Sequence, residues 1–307
     1  MKSPHGVLNL LKPPGPSSNA VVQRLRRLLS AGKAGHAGTL DPPAAGVLVI
    51  LLGRATRIAE CLVSEEKSYR VEITFGLGTH TYDAAGRVTE RSEASWLTSE
   101  RLEAVLPGFR GWIRQTPPPV SAVKINGERL YRLTRQEREI SVAPRQVNIK
   151  SLRLLSFRGG GHPVAMLDLT CSKGTYVRSL AHDLGKTLGT GAHVSFLLRL
   201  AVGDLRLEEA VTVEEVEDAA VRGNLPDLIR PLEQVLGFLP EIRLGPAEVA
   251  GVICGRAPRD LDVRGGDGWL RLADLDGRVV ALGRSEGEEG GVRLAKVFPP
   301  EEVGRGR

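Results

Sequence analysis

The sequence predicts an α+β protein with a large first unit and a small β-rich unit behind it. Three observations carry that prediction. Val47-Leu48-Val49-Ile50-Leu51-Leu52 is an unbroken apolar run of strand length, the pattern of a strand buried on both faces. Tyr69, Val71, Ile73, Phe75 and Leu77 alternate with polar side chains, whereas Val177, Leu180, Ala181, Leu184 and Leu188 share one helical face. Far downstream, Asp276-Gly277 separates the apolar runs Trp269–Ala273 and Val279–Leu282, a strong hairpin signal.

Taken in order, Val7–Leu10 reads as a short strand stopped by Lys12-Pro13-Pro14-Gly15-Pro16. Ser17, Ser18 or Asn19 then caps a helix with apolar positions Val21, Val22, Leu25, Leu28 and Leu29. Its polar face carries Arg24, Arg26 and Arg27, open either to solvent or to phosphates. After the buried strand, Arg54–Val63 reads as helical, Asp83–Gly86 as a turn and Ser99–Leu106 as a short helix. Gln115-Thr116-Pro117-Pro118-Pro119 opens a proline-rich arm running through Lys124, Arg129, Tyr131, Arg132, Arg135 and Arg138. Proline has no amide to donate, so this arm, about residues 115–145, is expected outside the central sheet. Val164–Cys171 reads as a strand, His193–Leu200 as a further apolar element, Val211–Asp218 as a helix and Val292–Phe298 as a last strand. The expected division is a first unit at 1–235 and a small β module at 236–307.

The 307 residues are enough to bury a sizeable core, and their net charge of +6 is unevenly spread. Residues 1–60 hold eight basic against two acidic side chains, and residues 110–150 hold nine against three. Residues 211–240 run the other way, with six acidic against two basic. Two basic blocks and an acidic connector fit a face that meets a polyanion. Cys61, Cys171 and Cys254 have no pairing or CxxC spacing, which fits a reducing compartment. The six histidines, at 5, 36, 80, 162, 182 and 193, form no metal-ligand spacing. Gly76-Leu77-Gly78 is followed by Thr81 where a dinucleotide fingerprint needs glycine. Gly185-Lys186-Thr187 has Leu180 where a phosphate loop needs one. No apolar run approaches the ~20 residues of a membrane span, and the first residues lack the apolar core of a leader. A cytoplasmic protein is expected.

The densest chemistry lies in Gly35-His36-Ala37-Gly38-Thr39-Leu40-Asp41-Pro42, just ahead of the buried run. Glycines permit tight backbone angles, and the proline pushes Asp41 toward an extended conformation. Composition alone leaves Asp41 either a turn former or a reactive carboxylate. This octapeptide, with Ala44-Ala45-Gly46-Val47-Leu48 behind it, resembles the catalytic motif of the tRNA pseudouridine synthase B family. Two further stretches resemble the same family: the strand around Tyr69, and Cys171-Ser172-Lys173-Gly174-Thr175-Tyr176-Val177-Arg178. The resemblance covers about residues 5–235, and is weak beyond.

The resemblance implies a pseudouridine synthase fold: a mixed, mainly antiparallel sheet flanked by helices, with a small PUA-like RNA-binding module appended. It implies isomerisation of a T-loop uridine of tRNA, position 55 in tRNA numbering. The C1′–N1 bond breaks, the uracil turns, and C1′ joins C5, with no cofactor or metal. It makes Asp41 the nucleophile, Arg178 its guanidinium partner and Tyr69 a ring for the flipped uracil. His36, Tyr176 and Leu197 become substrate contacts, and Lys67 and Asp83 lesser candidates. The residue types suit the task. A carboxylate both attacks and leaves, its ordinary pKa near 3.9 keeps it ionised at neutral pH, and a guanidinium beside it favours that charge. Extruding a stacked base costs a few kcal/mol, to which stacking on an aromatic returns ~1–3. The expected partner is the tRNA T arm, met by a monomer with no obligatory protein partner. A non-catalytic RNA-binding protein or tRNA chaperone on the same scaffold is the rival, as is a guide-RNA-dependent synthase.

Overall fold

In the computed structural model, the described residues are 4–121, 124–125, 128–129, 142–258, 268–285 and 291–299. The side chains of the basic arm, from Lys124 through Tyr131 to Arg138, lie outside them.

The first strand, β1 (Gly6–Lys12), ends at the proline cluster and leads to α1 (Ser18–Leu28), which Ser17 caps by accepting from the Ala20 amide. Short β2 (Ala34–His36) and the apolar β3 (Ala45–Leu52) follow, and β3 is buried at every position. Leu48, Ile50 and Leu52 enter one apolar core while Val47, Val49 and Leu51 enter a second on the other side. That two-sided burial is why the run has no polar alternation. The expected helix after it is a 3-10 turn (Gly53–Ile58) running into α2 (Ala59–Val63).

The alternating strand, β4 (Lys67–Phe75), turns its odd positions inward. The alternation in the sequence runs past its end, because Leu77 belongs to β5 (Leu77–Thr79), paired with β6 (Val88–Arg91). Gly76 donates to Gly191 and accepts from Ser92, which redirects the chain between the two. Next come α3 (Ser99–Val105), β7 (Gly111–Gln115) and the two-residue strands β8 (Lys124–Ile125) and β9 (Glu128–Arg129). The fourteen-residue β10 (Arg145–Arg158) pairs with both β7 and β11 (Val164–Cys171). Neither β7 nor β10 was expected from the sequence.

After α4 (Val177–Thr187), β12 (Ala192–Val202) returns to the middle of the sheet and β13 (Leu205–Arg206) folds back on it. The nine-stranded sheet runs β1-β3-β12-β4-β11-β10-β7, with β2 on β3, and only the β3–β12 pairing is parallel. Helix α5 (Val213–Arg222) begins with a capping box of Thr212 and Glu215. It also supplies Glu217, which pairs with Arg24 at 2.7 Å, so this arginine of the α1 basic face is spoken for within the protein.

Behind the short α6 (Leu232–Val235), β14 (Glu241–Arg243), α7 (Pro246–Ile253), β15 (Trp269–Ala273), β16 (Val279–Ser285) and β17 (Val292–Val297) build a separate four-stranded sheet. The hairpin at Asp276-Gly277 closes with Gly277 donating to Asp274. This module has its own small core around Leu244, Leu270 and Leu272. It also sends Val279, Leu282 and Phe298 into the second core beneath β3.

Candidate active site

Asp41 closes a turn fastened from three directions. Ser18 on α1 accepts from the Leu40 amide and lies 2.8 Å from the Leu40 carbonyl. Lys12, fully buried at the end of β1, donates to the Pro13, Pro42 and Ala44 carbonyls. Arg199 on β12, also fully buried, donates to Val47 at 2.6 Å, Gly38 at 3.0 Å and Thr39 at 3.4 Å. Gly38 takes φ +92°, which only glycine accepts readily, so that its carbonyl meets that guanidinium. Gly35, by contrast, lies in ordinary β2 backbone and needs no such freedom.

Arg178, 6% exposed in the first turn of α4, faces the turn. Its Nε lies 2.9 Å from Asp41 Oδ2. Nη1 donates to the Thr81 carbonyl at 2.9 Å and lies 3.6 Å from Asp83 Oδ2, and Nη2 donates to the Val120 carbonyl at 3.0 Å. A planar fork with fixed donors suits such a multiple attachment, and a lysine does not. Asp83 is at once a turn residue and a guanidinium partner, since its Oδ1 accepts from Thr81 Oγ and the Ala85 amide.

A cavity of about 250 Å³ opens against these groups, lined by Asp41, Lys67, Tyr69, Tyr176, Arg178, Leu197 and Arg199 among others. Tyr69 is 7% exposed. Burial pushes its phenol above the ordinary range, Arg199 opposes that and Asp41 adds to it. Burial likewise raises the Tyr176 phenol. Lys67 donates to the Val63 and Glu65 carbonyls and is lowered by burial to about 8. The structure therefore brings together Asp41, Tyr69, Arg178, Tyr176 and Leu197, with Lys67 and Asp83 beside them. His36 stands apart in β2, outside the cavity lining, half-buried, its Nδ1 without a hydrogen-bond partner. Burial, then Arg199, lowers its pKa.

Lys12, Ser18 and Arg199 were missed in the sequence, although two of them left a signal. Arg199 is a charge inside the apolar run Val194–Val202, and Lys12 ends an apolar strand, so each needs buried acceptors. A larger groove of about 910 Å³ lies between α1 and α5, but its ionisable lining is His5 and the already paired Glu217. Among the described residues, no group of three or more His, Cys, Asp or Glu is placed to hold a metal ion.

Comparison with known proteins bears on this constellation. Residues 26–177 match the N-terminal domain of the TruB family pseudouridylate synthases, and residues 178–237 match the tRNA pseudouridylate synthase B C-terminal domain. A tRNA pseudouridine synthase B of Pelotomaculum thermopropionicum is 45% identical, covering 88% of this chain and 91% of its own. That of Symbiobacterium thermophilum is 49% identical over 82% and 83%. Among solved structures, an H/ACA ribonucleoprotein bound to a substrate RNA containing 2′-deoxyuridine superposes with a TM-score of 0.74 at 25% identity. That match covers 97% of this chain and 86% of the other. With its fold, its cavity and these matches in agreement, the chain belongs to the TruB family of pseudouridylate synthases.

Proposed function

We propose that the protein isomerises the T-loop uridine at tRNA position 55 to pseudouridine, with Asp41 as nucleophile. The observation that carries this reading is the 2.9 Å contact of Arg178 with Asp41 at the wall of the cavity that also holds Tyr69 and Leu197. At about 250 Å³ the cavity is slightly smaller than the ~300–1,000 Å³ of ordinary ligand pockets, which suits a single extruded nucleoside.

Asp41 attacks the uridine at its sugar or base, and the C1′–N1 bond breaks. The freed uracil turns between Tyr69 and Leu197, and C5 bonds to C1′. The C5 proton leaves, N1 gains one, and Asp41 is released, so the product is an isomer and no oxidant or reductant enters. Arg178 holds the carboxylate in line through its bond and steadies its charge. Tyr69, kept neutral by burial, offers a ring face and a phenolic proton. Tyr176 and the basic arm at about residues 115–145 grip the RNA, and His36 helps to hold the flipped-out state from beside the turn.

The protein works in the cytoplasm as a monomer without an obligatory partner. Relatives named tRNA pseudouridine synthase B share 45% and 49% identity, against 25% for the ribonucleoprotein structure, which favours a stand-alone enzyme over a guided one. Residues 1–235 form the catalytic unit and 236–307 a PUA-like RNA-binding module, a division favoured by β14 opening the second sheet at Glu241.

Purified protein alone should convert an isolated T-arm stem-loop, scored by pseudouridine content. Asp41→Asn should bind that RNA as before and form no product. Product from Asp41→Asn would remove the nucleophile assignment, and wild type that bound without turnover would favour the chaperone reading.

A further inference from the structure

Outside the residues already assigned, the most constrained feature near the site is the tip of the β5–β6 hairpin. Tyr82 is one of two described non-glycine residues with positive φ, at +64°. A bulky residue holds that backbone only where its surroundings enforce it. Two sets of contacts do so. The Tyr82 carbonyl accepts from the Val194 amide on β12, and the Ala84 amide two residues on donates back to the Val194 carbonyl. The ring lies flat on His182, with centroids 4.0 Å apart and planes 5° from parallel.

The place of that stack is informative. His182 is four residues beyond Arg178 on α4, so both project from one helix face. Tyr82 sits between Thr81 and Asp83, the two groups that meet Arg178 Nη1. One helix face thus grips one hairpin tip at two points a turn apart, through the guanidinium and through the imidazole. Burial lowers the His182 pKa, which favours the neutral ring against Tyr82.

We propose that Tyr82 is a positioning residue: clasped on His182, it sets the Thr81 carbonyl and the Asp83 carboxylate against Arg178 and thereby aims the guanidinium at Asp41. The inference rests on the roles given above to Asp41 and Arg178. Tyr82 itself touches no reacting atom. Its loss frees the hairpin tip, and Arg178 Nη1 loses fixed acceptors while the RNA-gripping surfaces remain.

The test is steady-state turnover of the T-arm stem-loop by the full chain, with melting temperature recorded for each variant. Tyr82→Ala and His182→Ala should each lower kcat about 10- to 100-fold, the scale of a slight misplacement of reacting groups, with KM unchanged. The double variant should be no worse than the poorer single, because both remove one interaction. Tyr82→Phe and His182→Phe keep a flat ring and should keep wild-type kcat. Alanine variants at wild-type kcat, losses that multiply in the double variant, or phenylalanine variants as impaired as alanine ones would each overturn the clasp. Should Tyr82→Ala fail to fold, the two His182 variants decide the matter, since they leave the hairpin backbone untouched. Turnover by Asp41→Asn would sink the underlying reading instead. An inactive Asp41→Asn beside a fully active Tyr82→Ala would sink the clasp alone.

Discussion

Lys12 shows how a single side chain carries structure and charge together. It is fully buried beneath the Asp41 turn, and its three carbonyl acceptors belong to the segments on either side of the site. Burial lowers its pKa from 10.5 to about 8, with Asp41 raising it and Arg199 lowering it further. In the unfolded chain the amine keeps its proton to higher pH. Between about pH 8 and 10.5 the unfolded state therefore binds more protons, and stability from this residue rises with pH across that window. Lys12→Met should accordingly flatten the pH dependence of unfolding free energy above pH 8. At pH 7 it should also leave the Pro42 and Ala44 carbonyls short of a donor, at roughly 1–3 kcal/mol. Denaturant melts across pH 6–10 measure both effects, and an unchanged slope would contradict the assignment. The sequence marked Asp41, Tyr69 and Arg178 because each sits in a dense motif. Ser18 left no such mark, because one serine of a Ser-Ser-Asn capping cluster looks like any other.

At the scale of elements, the site depends on β3 and β12 running side by side. Their parallel register places Gly46 opposite Arg199, with Gly46 at φ +110°. A Cβ there would fall 2.2 Å from the Arg199 carbonyl oxygen, so backbone meets backbone and neither can yield. Gly46→Ala should therefore destabilise the protein by more than the ~1–3 kcal/mol of backbone strain alone, and should misplace the Arg199 guanidinium that holds Gly38. A melting temperature equal to wild type, with full turnover, would contradict this. Strands with one clear period, such as β4, β11 and the helix α4, were legible in the sequence. Strands β7 and β10 were not, since Arg114, Gln115, Lys150 and Arg153 give them the polarity of a loop. Their order comes from pairing, with β10 bonded on both sides. Among the described residues the proline-rich arm does lie outside the nine-stranded sheet, except at its two ends, where Gln115 belongs to β7 and Arg145 to β10.

Across the whole molecule, the C-terminal module and the catalytic sheet share one interior. Phe298, 3% exposed, joins Leu51, Ile58 and Leu282 in the second core, and Arg57 lies over its ring at 5.3 Å. Arg57 also donates to the Val297 carbonyl, and Arg271 on β15 to the Glu233 carbonyl. Such continuity predicts one cooperative thermal transition for the full chain. Phe298→Ala should cost about 3–5 kcal/mol, enough to split that transition or lower it clearly in calorimetry. Two independent transitions in wild type would show that the shared core does not couple the units. The sequence by itself determined the α+β class, the buried central strand and the terminal hairpin, because these are written in local period and local residue type, whereas the three motifs of the site were legible through their resemblance to a known family. The Arg178–Asp41 contact is the one the resemblance implied, but only the tertiary structure decided that Lys12, Ser18 and Arg199 fasten the turn, and that the second face of β3 is covered from the far end of the chain. Those contacts join residues up to about 250 positions apart, and no local pattern encodes which distant surface will fill a buried face or satisfy a buried charge.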